Sequence, residues 1–260
     1  DRSATLSQPI ENSVIVAGIG CSGNLVHLQE GPQPFGIHGI HGRTLPIAYG
    51  LKSNRPDLNV LIVSGDGDFL SIGGEHIGPQ AKRNLDVTVV VMDNGVYGLT
   101  KGQASPTTEI EVVTSTTPYG KLDDRSRPFE TYLAAGVSFL ASTLSTQVKA
   151  MQQMILEAME YPGFSIVHVQ SPCTTYNDTY AALKGNEKEG ILPMAYPIEE
   201  GHDAGDIDAA YRLARDSRIP VGVIYKKEDS IPAHERLNLA RERTGATQKS
   251  VEELFQTMAI

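Results

Sequence analysis

Residues 60–68 read Val-Leu-Ile-Val-Ser-Gly-Asp-Gly-Asp, a strand-length apolar run that breaks into a turn of alternating glycine and aspartate. Runs rich in valine and isoleucine recur at 13–19 (SVIVAGI), 87–92 (VTVVVM) and 164–169 (FSIVHV), with a shorter one at 221–225. Each is hydrophobic nearly from end to end, the pattern of parallel strands buried on both faces. Helix candidates lie at 44–53, 74–83 and 147–159. Pro79 inside the second predicts a late start or a kink, because proline has no amide hydrogen to donate. The third is the clearest, with Val148, Met151, Met154, Ile155 and Ala158 on one face. This alternation predicts an α/β domain, a mostly parallel sheet with helices on both faces. After Thr179 the composition shifts to a polar loop at 199–208 and a charged, helix-like stretch at 231–260. The expected division is an α/β domain over 1–179 and a C-terminal extension over 180–260 that wraps it or meets a partner.

The chain has 260 residues, 40% of them hydrophobic, which suffices for a packed core. A formal net charge of -9 argues against a nucleic-acid binder, which carries a basic footprint. No run approaches the roughly 18 apolar residues of a membrane span. The opening DRSATLSQPIEN lacks the basic start and apolar stretch of a signal peptide. Two cysteines, Cys21 and Cys173, make no disulfide framework. Cytoplasm is the expected address.

Ligands of open α/β sheets bind beyond the carboxyl ends of the strands, where Gly65-Asp66-Gly67-Asp68 falls. Glycines there let the backbone approach a diphosphate, and the first amides of a following helix can face an anion. Twenty-eight residues after Asp66 comes Asn94, in a second turn that directly follows a strand. Asp66, the Asn94 side-chain oxygen and the Val96 carbonyl form an oxygen set suited to magnesium, a hard cation that keeps substrate phosphates in its shell. Each turn alone reads better as ordinary turn chemistry. Their pairing at two strand ends, with this spacing, resembles the thiamine-diphosphate motif.

The resemblance extends further. GDGDFLSIGG and KRNLDVTVVVMDNGVYGLTKGQASPTT, with GIGCSGN (18–24), FGIHGIHGR (35–43), TTPYG (116–120), SPCTTYN (171–177) and PVGVIY (220–225), resemble the beta subunits of 2-oxoacid:ferredoxin oxidoreductases. The matches follow the family's order over about residues 14–226. YGLTKGQ and HGIHGR are more specific than GDG, since no generic turn rule demands them. The resemblance implies oxidative decarboxylation of a 2-oxoacid on thiamine pyrophosphate. Electrons would leave singly through an iron–sulfur cluster to ferredoxin, and coenzyme A would take the acyl group.

By position, the resemblance gives Asp66, Asn94 and the Val96 carbonyl to magnesium. It gives Gly65, Gly67, Asp68, Tyr97, Gly98, Leu99 and Thr100 to the diphosphate, and Gly20, Cys21 and Ser22 to the cofactor pocket. His41 would sit near the thiazolium or diphosphate, and Lys101 would meet the substrate carboxylate; His27, His38 and His76 read as structural. Cys21 and Cys173 match two of the four thiolates of the family's [4Fe–4S] cluster. The other pair comes from a CPGC-type element upstream of the opening 1–8, which itself reads as a connector. The glutamate that activates thiamine has no match, since none of Glu75, Glu109 and Glu111 occupies a position for it. In the family it comes from the alpha subunit, so an isolated chain is expected to be inactive. The segment 75–80 departs from the family's Ala-rich helix. Two other readings stay open: a non-redox thiamine-dependent 2-oxoacid decarboxylase subunit, and a non-catalytic thiamine pyrophosphate-binding subunit.

Overall fold

The structure, a computed structural model, describes residues 9–247 and 249–258; the opening 1–8, read above as a connector, lies outside the described residues. Ten strands form: β1 (Ser13–Ala17), β2 (Phe35–His38), β3 (Asn59–Gly65), β4 (Val87–Asp93), β5 (Val96–Tyr97), β6 (Gln103–Ala104), β7 (Phe139–Leu144), β8 (Phe164–Gln170), β9 (Ala195–Pro197) and β10 (Ile219–Lys226). Eight make one sheet in the order β2-β1-β3-β4-β8-β7-β10-β9, while β5 and β6 pair as a separate antiparallel ribbon. Every neighbouring pair of the large sheet is parallel except β7 with β10. The mostly parallel α/β architecture expected from the apolar runs is the one observed.

Alternate residues of the central strands divide between two cores. Val87, Val89 and Val91 of β4 face one side, against the helices Thr44–Asn54, Ile77–Arg83, Pro128–Ala135 and Ile207–Ala214. Val90 faces the other with Val167 and Val169 of β8, under the helix Val148–Glu160. Burial of each such side chain stabilises the fold by about 1.5–3 kcal/mol relative to exposure. Helices thus cover both faces. In Val148–Glu160, Met151, Met154, Ile155 and Ala158 pack inward as their spacing demands, but Val148 in the first turn is exposed.

The helix expected from 74 starts at Ile77, after a single 3-10 turn over Gly74–His76. Pro79 therefore lies in the first turn, where its missing donor has no intrahelical partner to lose. The boundary expected at residue 179 does not divide the sheet. β9 and β10 extend it, and Leu183, Ala210, Ile219 and Ile224 belong to the core shared with β1, β3 and β4. Among the described residues, no helix is long and apolar enough to cross a membrane.

Candidate active site

The adjacent strands β1, β3, β4 and β8 all run in one direction, so their carboxyl ends meet along one edge. A cavity of about 350 Å³ opens there. Its wall takes Ile19, Gly20, Cys21 and Ser22 from the turn after β1, and Gly65, Asp66, Gly67 and Asp68 from the end of β3. Asn94, Val96, Tyr97, Gly98, Leu99 and Thr100 come from the loop after β4, and residues 171–174 from the loop after β8. His41, from the segment after β2, completes it. Residues far apart in the chain thus converge because parallel strands bring their ends together. Lys101 does not join them: it is exposed, outside the cavity wall, with φ +79° in the left-handed region.

Glycine is required in this wall. A Cβ on Gly67 would lie 2.3 Å from the Tyr97 ring, which covers the turn where the chain enters a π-helical segment at Gly67–Ile72. Such π turns recur at functional sites. Ser22 Oγ is buried at the cavity without a hydrogen-bond partner, a polar atom left for a ligand.

Asp66 is 1% exposed and has no cationic partner among the described residues. Burial, and then the negative charge of Asp93, push its carboxyl up to about 7. Thr107 Oγ1 stands 2.7 Å from Asp66 Oδ2 and 2.6 Å from Asp93 Oδ1. One hydroxyl hydrogen serves one carboxylate at a time, so Thr107 cannot donate to both. Burial alone would raise Asp93 as well. The hydrogen bond and charge of fully buried His168, at 3.0 Å, together with the Thr107 hydrogen bond and the Arg125 charge, outweigh it and hold Asp93 below the usual carboxylate range. Tyr132 closes the network, its hydroxyl 3.2 Å from His168 Nδ1.

Asn94 and Val96 line the cavity beside Asp66; the Asn94 side-chain oxygen accepts from Val96 N (3.0 Å) and the Val96 carbonyl accepts from Gly98 N (3.1 Å). Each oxygen retains a second lone pair. One carboxylate, one amide oxygen and one carbonyl suit magnesium. No group of three or more His, Cys, Asp or Glu that could hold a metal occurs among the described residues.

Asp68 also borders the cavity, but protein groups surround its oxygens. Oδ1 accepts from Gly42 N (2.7 Å) and Ile19 N (3.2 Å) and lies 2.5 Å from His41 Nδ1; Oδ2 accepts from Ser64 Oγ (2.5 Å). The two cysteines come together across Gly98: a Cβ there would lie 3.3 Å from Cys21 Sγ and 3.8 Å from Cys173 Sγ. Both thiols are free. Asn177 Nδ2 donates to the Asn94 carbonyl at 2.9 Å, tying the Cys173 loop to the Asn94 turn. Among the described residues, no glutamate is in the cavity wall. Glu75 pairs with Arg43 at 3.3 Å and Glu109 with Arg125 at 2.5 Å, while Glu111 is exposed.

Thr107, Asp93, His168 and Asn177 were not singled out by the sequence reading. The one local signal was His168, a polar residue inside the apolar run FSIVHV, since a buried polar group needs a partner.

Residues 18–169 match the family model described as thiamine pyrophosphate enzyme, C-terminal TPP binding domain, and 173–242 match the model for the C-terminal part of the pyruvate ferredoxin oxidoreductase beta subunit. The chain is 35% identical over 238 residues to the 2-oxoacid:ferredoxin oxidoreductase subunit beta of Sulfolobus sp, covering 86% of this chain and 75% of that one. It is 38% identical over 192 residues to a 2-oxoglutarate oxidoreductase subunit of Mycobacterium tuberculosis, covering 74% and 50%. A solved structure of 2-oxoglutarate:ferredoxin oxidoreductase from Magnetococcus marinus, with 2-oxoglutarate, coenzyme A and succinyl-CoA bound, superposes with a TM-score of 0.84 at 34% identity, over 96% of this chain and 83% of that one. With the cavity at the sheet edge and these matches along nearly all of its length, the chain belongs to the beta subunits of the 2-oxoacid:ferredoxin oxidoreductases.

Proposed function

We propose that this chain binds thiamine pyrophosphate through a magnesium ion in the cavity at the sheet edge. With an alpha subunit it would then oxidatively decarboxylate a 2-oxoacid, pass the electrons to ferredoxin and the acyl group to coenzyme A. The observation that carries the reading is Asp66, a buried carboxylate facing a glycine-lined cavity with a second carboxylate behind it and no cation beside it. A divalent ion there supplies the missing charge.

Asp66, the Asn94 side-chain oxygen and the Val96 carbonyl would hold the magnesium. Gly65, Gly67, Asp68 and the 97–100 loop would shape the diphosphate end. Gly20, Cys21 and Ser22 would form the facing wall, where the Ser22 hydroxyl is free to donate. When bound, thiamine pyrophosphate supplies the nucleophilic carbon and the ring that holds the electrons released on decarboxylation. His41 would stand at the reacting end, and Lys101 would meet the substrate carboxylate once its exposed loop is covered. Cys21 and Cys173 are the two thiolates this chain would give to a [4Fe–4S] cluster, which ordinarily takes four. From the cavity wall, where Cys21 and Cys173 both lie, such a cluster would set the electron exit beside the chemistry.

The activating glutamate would come from the alpha subunit. Exposed Ile40 and Leu99, 76% and 56% accessible and next to the wall residues His41 and Thr100, are apolar surface of the kind a partner buries. Pyruvate and 2-oxoglutarate are the acids to try first, and a cytoplasmic enzyme fits the chemistry.

Reconstitution tests the reading. The chain combined with its alpha subunit should reduce ferredoxin only when 2-oxoacid and coenzyme A are both present, and the chain alone should be inactive. Turnover by the chain alone would refute the shared site, and 2-oxoacid decarboxylation without electron output, by a complex whose iron content shows an assembled cluster, would refute the redox reading.

A further inference from the structure

The Asp68 carboxylate is 1% exposed and every group around it donates. Two are backbone amides, Ile19 N and Gly42 N, from segments on either side of the cavity; the third is Ser64 Oγ. The remaining neighbour is His41 Nδ1. Space reinforces the arrangement, since a Cβ on Gly18 would lie 2.0 Å from Asp68 Oδ2, so glycine is needed for the β1 turn to close on this carboxyl. With two donors already on Oδ1, a third atom at hydrogen-bond distance must donate as well, and Nδ1 must carry the hydrogen. A neutral imidazole so protonated has a bare Nε2. No Nε2 hydrogen bond forms among the described residues, the His41 side chain is 33% exposed, and its residue is part of the cavity wall.

We infer that Asp68 is a positioning residue. It locks His41 as the Nδ1–H tautomer, so that the ring offers the cavity a hydrogen-bond acceptor at Nε2 and not a donor. The consequence separates two chemistries. Diphosphate oxygens are acceptors and gain nothing from a bare ring nitrogen. A hydroxyl, amino or protonated carbon-acid group does, so His41 serves the reacting part of the ligand as a proton acceptor. Asp68, held by four protein donors, positions the histidine and both flanking turns. The same carboxylate thereby ties the Cys21-bearing turn to the histidine segment.

The inference rests on the cavity being the cofactor site, yet its test needs no cofactor, so the two can fail separately. The chain labelled with ¹⁵N-histidine is examined by two-dimensional NMR at about pH 8, where an ordinary imidazole is neutral. A His41→Gln sample identifies the His41 signals. The expected result is one tautomer for His41, with the hydrogen on Nδ1 and the shift of an unprotonated nitrogen at Nε2. A hydrogen on Nε2 in the unaltered chain would overturn the inference, whatever the variants do. In Asp68→Ala the hydrogen should move to Nε2, the preference of free imidazole, and Asp68→Asn should show a mixture. Circular dichroism establishes that each variant is folded. A folded Asp68→Ala chain whose His41 keeps its hydrogen on Nδ1 would also overturn it. Magnesium-dependent thiamine pyrophosphate binding by the unaltered chain, measured separately, reports on the cofactor site alone.

Discussion

Asp66 and Asp93 are buried carboxylates on either side of the Thr107 hydroxyl. Replacing Asp66 by alanine removes the only carboxylate we assign to magnesium. Magnesium-dependent affinity for thiamine pyrophosphate should fall at least about tenfold, a loss of about 1.4 kcal/mol or more, by calorimetry; a change within about twofold would remove Asp66 from the metal. Thr107→Val leaves two buried carboxylates without their shared hydroxyl. It should destabilise the chain by about 1–3 kcal/mol in denaturant melts, with part of that loss recovered on adding magnesium. Lys101→Ala should raise the 2-oxoacid KM of the assembled enzyme while cofactor affinity stays within about twofold. That Asp66, Asn94 and Val96 share one cavity wall was legible in the sequence, because ligands of open α/β sheets bind beyond the strand ends. Thr107, 41 positions from Asp66, and His168, 75 from Asp93, were not, because their roles exist only once distant segments pack. Lys101 shows the opposite case, a motif residue that this chain by itself leaves outside the cavity wall.

At the scale of elements, β1, β3, β4 and β8 announced themselves as valine and isoleucine runs, since both faces of each are covered. β7 did not. It is buried at every position, yet Ser142 and Thr143 interrupt its apolar pattern. β2 was hidden too: it is a short edge strand in a glycine-broken stretch, with Phe35 71% exposed. Ile166, fully buried in β8 beside the site strand β4, is the sharper test of the core. Ile166→Ala should cost about 2–5 kcal/mol of unfolding free energy in denaturant melts, as a cavity opens where the sheet cannot collapse. A loss below about 1 kcal/mol would mean that the two sides of the sheet are less tightly packed than their burial implies.

For the molecule as a whole, strand order was the part that no local pattern could reveal. Order depends on which crossovers cover which face, and it is what gathers four loops from β1, β3, β4 and β8 at one edge. The same order brings part of the C-terminal region into the sheet: β10 reverses direction against β7 and pairs with β9 at the far edge. Among the described residues no glutamate lines the sheet-edge cavity, and apolar residues stand exposed beside it. The most direct measurement on this site is an anaerobic calorimetric titration with thiamine pyrophosphate, with and without magnesium, on the chain alone and on its complex with the alpha subunit. Binding should require magnesium and be lost in Asp66→Ala. Equally tight binding without magnesium, or no binding even in the complex, would contradict the assignment of this cavity.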